Sequence, residues 1–422
     1  MADNTPGQVE SGWRRLVSNA LMVALAGGFA NVLNLGVTTG VARILKPHAY
    51  GAYGQMVGVF TVVALSGSAL GVAVVRRAGY YIVRSDHVLT LHWQRRLHQR
   101  VALAAGVCAV AALPVSFVIA SWLGHRSWVA VWLIGVSGLI FAVLSVDRAL
   151  LQSYQRYGAL ANNFVFEGVV RTVFTLAGVQ FGVTGYAAGL LIAELLTRAH
   201  AYRMVRTRVD VDPGMEIQHT GITKELVVAF ATLAFMAVLQ FIDVFVIGHD
   251  NKNFGSYTAI STIAKILVFG AVILNSFLLP EAVLASRKGA EAVRQLALVL
   301  ALLAVASLAF VVLATFFSHA VLKLVFGAQY AHASSSLLPL VLAMVALSVS
   351  TILVAFLLGD GARWPTVWLA VAVGFGVWWI NGAHGMAHAT AQRDLELQVV
   401  VMVGLFGAAG YRLRRHARSV LS

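Results

Sequence analysis

Apolar stretches long enough to cross a bilayer recur about twelve times along this chain, and that recurrence limits it to a helical membrane fold. A hydrocarbon core of ~30 Å takes ~20 helical residues. Stretches near that length fall at 17–42, 54–75, 101–123, 128–151, 160–180, 184–204, 224–248, 255–281, 292–317, 334–357, 364–382 and 388–410. The basic residues between them alternate in density. Of 31 Lys and Arg, 23 fall on the side of the N-terminus, 6 on the opposite side, and 2 (Arg171 and Lys265) well inside spans. Cytoplasmic loops carry the Lys/Arg excess, so the pattern places both termini in the cytoplasm and agrees with twelve spans. Charged residues make up 11% of the chain, against ~25% in soluble domains. The net charge of +14 needs no nucleic-acid partner, because the surplus lies where it meets anionic lipid head groups. The longest connectors, near 77–100 and 205–223, are too short to fold as domains, so the work of the protein is expected inside the membrane.

Absent motifs narrow the class further. There is no Gly-x-x-x-x-Gly-Lys-Ser/Thr loop and therefore no ATPase engine in this chain. There is no His-Glu-x-x-His, and no long outer loop of the kind a membrane glycosyltransferase needs. No catalytic residue, metal or cofactor is expected. Cys108, the single cysteine, excludes an intramolecular disulfide and reads as a small buried hydrophobe. The first twelve residues read as disordered, with no cleavable signal. The stretch 84–100 reads as an interfacial amphipathic helix. Its histidines, His87, His92 and His98, are spaced by five and six residues and do not stack as metal ligands.

The chain also repeats itself. Ala49-Tyr50-Gly51-Ala52-Tyr53 has a counterpart in Asn253-Phe254-Gly255-Ser256-Tyr257, an offset of 204. Gly182-Val183-Thr184-Gly185-Tyr186-Ala187 has one in Gly382-Ala383-His384-Gly385-Met386-Ala387, an offset of 200. Glu194 and Asp394 then correspond. Six spans per half is an even number, so the halves share orientation, as in transporters that hold substrate near the midplane. The expected division is an N-terminal six-helix bundle over 1–204, a cytoplasmic linker over 205–223 and a C-terminal six-helix bundle over 224–422, around a central cavity.

The run from Ala42 to Gly54 (ARILKPHAYGAYG) resembles a signature of bacterial polysaccharide-biosynthesis flippases, members of the multidrug/oligosaccharidyl-lipid/polysaccharide (MOP) exporter superfamily. Gly67 to Arg76, Asp243, Phe254-Gly255-Ser256-Tyr257 and Leu279-Pro280 are similar to further family features. The resemblance implies two six-helix bundles in the inner membrane. It also implies a substrate in which a saccharide hangs on a polyprenyl diphosphate and moves from the cytoplasmic to the outer leaflet by alternating access. Other glycan-export enzymes would be possible partners.

Charges inside spans face a cavity or a partner. Lys265 has no acid three or four positions away and reads as a cation for the diphosphate, with pairing to Asp243 or Glu167 as the structural alternative. Arg171 follows Glu167 by four residues and reads first as an intrahelical pair, second as a diphosphate contact. Arg76 closes the second span at the cytoplasmic mouth, as a third diphosphate contact. Asn31, Asn34 and Gln240 are candidates for sugar hydroxyls, or for helix–helix hydrogen bonds. Asp243 and Glu167 are candidates for a coupling proton or Na⁺. The expectation is a flippase for polyprenyl-diphosphate-linked saccharide. The alternatives are a multidrug/cation antiporter of the same superfamily, a membrane glycosyltransferase or polymerase, and a scaffold for glycan-export enzymes.

Overall fold

The computed structural model describes residues 6–83, 87–124, 127–205, 223–248, 253–285, 289–359 and 362–421. They form thirteen α-helices: α1 (Pro6–Ile44), α2 (Pro47–Val83), α3 (His87–Trp122), α4 (Trp128–Ser153), α5 (Tyr157–Val179), α6 (Gly182–Val205), α7 (Thr223–Val246), α8 (Phe254–Ala285), α9 (Gly289–Phe316), α10 (Ser318–Val325), α11 (Leu337–Gly359), α12 (Trp364–Asn381) and α13 (Ala387–Leu421). A short 3-10 helix (Ala328–Ser336) precedes α11. Each of the twelve expected spans lies on its own helix. The extra one, α10, has eight residues and is too short to cross a bilayer.

Among the described residues, nine helical stretches are both long and apolar enough to span a membrane. The other three expected spans are α5, α6 and α12. The first two carry Glu167, Arg171, Glu194 and Arg198, whose charges lower the hydropathy that marks a span. The third has only 18 residues, four of them Trp.

Several sequence expectations change. The basic stretch 84–100 is no separate interfacial helix. From His87 it is the first part of α3, and Gln94 and His98 within it are buried. Helix α1 begins at Pro6 rather than near residue 17. Cys108 is exposed rather than buried. It shares α3 with exposed Leu103, Val107, Val110 and Val118, and α9 shows the same pattern with Leu298, Leu302 and Val305. Aliphatic side chains at helical spacing on a membrane helix face lipid, and burial against protein is not required of them.

The chain divides into two compact units. The first comprises Met1–Ile44, Val59–Ala120 and Ser127–Leu226. In it, α5 and α6 form a tight hairpin with α1 packed on α5 and α4 on α6. Glycine allows the approach: a methyl at Gly185 would lie 2.2 Å from the Gly178 carbonyl oxygen, and one at Gly189 equally close to that of Phe174. The first repeat of the Gly-x-x-Gly-x-Ala motif is therefore a packing device, in which small residues let membrane helices approach.

The second unit comprises Leu45–Gly58, Ser121–Arg126 and Val227–Ser422. Its centre is α11, packed on α8 and α13, with α9 against α8 and α12 against α13. The segments of the other repeat are centred on Tyr50-Gly51 and Phe254-Gly255. They are the first turns of α2 and α8, and within this unit they pack on each other. A methyl at Gly255 would lie 1.9 Å from the Pro47 carbonyl oxygen, and one at Gly51 2.2 Å from the Phe254 ring. Further along the same contact, a methyl at Gly54 would meet the Thr258 side chain at 2.2 Å. Tyr50, Tyr257 and Tyr330 fill the space around it, all fully buried.

Candidate functional site

Each unit buries a cluster of charged side chains. In the first unit, polar residues recur every four positions on α5: Asn163, Glu167 and Arg171 lie on one face. Glu167 bridges two guanidiniums. Its Oε2 accepts from Arg148 of α4 at 2.5 Å and its Oε1 from Arg171, also at 2.5 Å. Arg171 donates in turn to Glu194 of α6. Arg148 also donates through Nε to the Asn163 Oδ1 at 2.7 Å, and the Asn163 amide donates to the Thr197 carbonyl at 3.1 Å. The guanidinium of Arg148 lies 4.2 Å from the centre of the Phe164 ring, and that of Arg171 5.5 Å from that of Phe60. Two cations face two carboxylates, so the cluster is balanced. One acceptor is spare: the Glu194 Oε2 is buried without a hydrogen-bond partner among the described residues.

In the second unit, Lys265 of α8 is 3% exposed and donates to the Asp243 Oδ1 of α7 at 3.0 Å and to the Ser261 hydroxyl at 2.5 Å. Ser261 donates to the other Asp243 oxygen at 2.9 Å. The Lys265 ammonium also lies 4.3 Å from the centre of the Phe241 ring, a cation–π contact. Asp394 of α13, fully buried, lies within electrostatic range of Asp243 and Lys265. Its Oδ1 accepts from Gln398 at 3.0 Å, while Oδ2 has no partner among the described residues. Gln398 also donates to the Leu239 carbonyl at 3.0 Å, tying α13 to α7. The ammonium is bonded to Asp243, and Asp394 is a second buried carboxyl group beside this pair. The internal repeat aligns Glu194 with Asp394. Each is a buried carboxylate with one oxygen spare, followed at the fourth position by Arg198 in one unit and by Gln398 in the other.

The candidates read from sequence divide accordingly. Lys265 pairs with Asp243 on the neighbouring helix, the structural alternative that the sequence left open. Arg171 and Glu167 do pair within α5, but each has a second partner on another helix. Gln240 is buried, with its Nε2 unpartnered among the described residues. Asn31 is exposed and Asn34 half-buried on α1, and neither belongs to the charged network. The Arg76 side chain lies outside the described residues. Arg148 was not anticipated, because its position at the end of an apolar run reads as a snorkelling anchor. The four-residue spacing of Asn163, Glu167 and Arg171 was the available signal that α5 needs a polar partner. Asp394 and Gln398 carry the same signal on α13.

This arrangement has the fold of MOP-superfamily transporters. The structure matches an inward-facing multidrug resistance MATE family transporter with TM-score 0.75 and 13% identity, over 94% of this chain and 99% of that one. An outward-facing MATE transporter matches with TM-score 0.69 and 14% identity, over 95% and 96%. A Pyrococcus furiosus MOP transporter, described for the reversed polarity of its binding pocket, matches with TM-score 0.70 and 14% identity, over 94% and 96%. Residues 41–335 match the polysaccharide biosynthesis protein family, and the chain belongs to that family. No curated protein sequence matches it significantly.

Proposed function

We propose that this protein is a flippase that moves a saccharide linked to a polyprenyl diphosphate from the cytoplasmic to the outer leaflet of a bacterial inner membrane. The observation that carries this reading is the family match over residues 41–335 on a transporter fold. The buried clusters suggest how charge is handled. At rest, Lys265 and Arg171 are neutralised by Asp243, Glu167 and Glu194. A diphosphate is a stronger anion than one carboxylate, so it can draw these cations from their partners as alternating access proceeds. Asp243 then stands beside Asp394 without its ammonium, and a proton or Na⁺ supplies the missing charge. Coupling in this reading is an exchange of counter-ions. Arg76 is proposed to meet the diphosphate at the mouth. Gln240, with its spare amide, Asn31 and Asn34 are proposed to bind sugar hydroxyls. Anionic lipid head groups and other glycan-export enzymes are the proposed partners of the basic cytoplasmic segments.

A second reading follows from the MATE neighbours, a multidrug/cation antiporter. Reconstituted proteoliposomes separate the two. Flipping of a fluorescent polyprenyl-diphosphate saccharide by the wild-type protein, reduced in Lys265→Ala with folding intact, is the expected result. Drug/cation exchange by well-folded protein that does not flip the lipid overturns the flippase reading.

A further inference from the structure

His98 lies on α3, on its arginine-rich side, and is 9% exposed. Both ring nitrogens face oxygen atoms. Nδ1 is 2.9 Å from the Gln94 carbonyl oxygen, and Nε2 is 2.6 Å from the Asp147 Oδ1 of α4. A carbonyl oxygen only accepts, so Nδ1 carries a proton. A neutral imidazole would then point a bare lone pair from Nε2 at the carboxylate. The contact needs a second proton, either on Nε2 as an imidazolium or on Asp147 as a carboxylic acid. Both assignments give a pair that holds two protons and no net charge.

We propose that His98 and Asp147 form a buried proton-binding site that fastens α3 to α4 when loaded and lets α3 shift when the proton leaves. The surrounding groups favour a two-state device. From α4, Asp147 keeps its Oδ2 buried without a partner among the described residues. Tyr154, at the C-cap of the same helix, donates to the Gln94 side chain at 3.0 Å. From α6, the Tyr202 ring meets the imidazole edge-on at 5.3 Å, and Arg198 lies within electrostatic range of it. Arg198 has its Nε buried and unpartnered among the described residues. On α3 itself, Arg95 and Arg100 are exposed.

When the shared proton leaves, Nε2 and the carboxylate become two acceptors in contact. Asp147 is then an unpaired anion, and the carboxylate turns to Arg198, a cation within electrostatic range of His98. The charged link between α3 and α4 is lost at the same step, while the Tyr154–Gln94 hydrogen bond remains. Other contacts among the described residues also hold α3. Leu97 and Val101 pack against the α4 cluster, Trp132 donates to the Ala109 carbonyl at 2.9 Å, and Phe117 stacks on Trp128. The inference is independent of which substrate the protein carries.

The single cysteine supplies the test, because Cys108 is exposed on α3 itself. A trifluoromethyl label on Cys108 of the full chain in lipid nanodiscs is followed by fluorine NMR through an acid-to-alkaline titration. A one-proton transition in wild type, absent in both His98→Gln and Asp147→Asn, is expected. Nitrogen-15 histidine spectra of wild type minus His98→Gln should show the His98 ring shifts changing in step with the label transition. Asp147→Asn is nearly isosteric and still offers Nε2 a donor, so it carries the test if His98→Gln folds poorly. A label signal without pH dependence, a transition unchanged in the variants, or His98 nitrogen shifts that do not follow the label transition overturns the proposal.

Discussion

Replacing Glu167 by Gln removes one negative charge from a buried cluster of two cations and two carboxylates while keeping the side chain's shape. Each guanidinium contact to Glu167 is 2.5 Å long. Charges ~4 Å apart attract by roughly 4 kcal/mol at an effective dielectric of about 20. Most of that is offset in the intact protein by the cost of taking the ions out of water. Deleting a single member recovers none of that cost for the rest, so the expected loss is about 3–5 kcal/mol. Arg148 has Glu167 as its carboxylate, whereas Arg171 keeps Glu194. The second variant, Glu167→Gln with Arg148→Met, therefore restores neutrality, and it should regain at least about half of the loss. Equilibrium unfolding of purified protein in mixed micelles measures all the terms of this double-mutant cycle. A cost below roughly 1 kcal/mol for the single change, or a double-variant cost equal to the sum of its singles, would refute the charge-balance account.

The other consequences are simpler. Gly255→Ala places a methyl 1.9 Å from the Pro47 carbonyl oxygen, and backbone cannot yield as a side chain can. A stability loss of about 1–3 kcal/mol or more is expected, while Gly36→Ala, which meets nothing within 4 Å, should cost little in the same unfolding assay. Lys265→Met leaves Asp243 buried without its ammonium and should cost about 3–5 kcal/mol, and adding Asp243→Asn should recover much of it, as thermal unfolding in detergent would show. Asp394→Asn replaces the buried carboxyl group beside Asp243 and Lys265 by an amide of the same shape. It should leave unfolding midpoints unchanged or raised while abolishing any dependence of transport on a proton or Na⁺ gradient, and retained ion dependence would separate Asp394 from coupling.

Hydropathy alone determined the class of this protein. A bilayer supplies no hydrogen-bond partners to the backbone, so apolar runs of this length can only be helices, and the alternation of Lys and Arg counts out twelve of them. The internal offsets of 204 and 200 residues and the Ala42–Gly54 run likewise pointed to a transporter fold of this kind before any coordinates were considered. Helix ends were less legible. Around 84–100, polar and basic residues read as interface, yet from His87 the backbone is the first part of α3, where Gln94 and His98 find partners against neighbouring helices. Exposure was misread at Cys108, since apolar character does not tell lipid contact from protein contact. The pairing of charges was decided by tertiary structure. Sequence spacing reveals only partners three or four residues apart on one helix, such as Glu167 and Arg171. Lys265 and Asp243 are 22 positions apart, Arg148 and Glu167 19, and His98 and Asp147 49. Which cation meets which carboxylate depends on the rotation and depth of neighbouring helices. Packing at positions such as Gly51, Gly185 and Gly255 sets both.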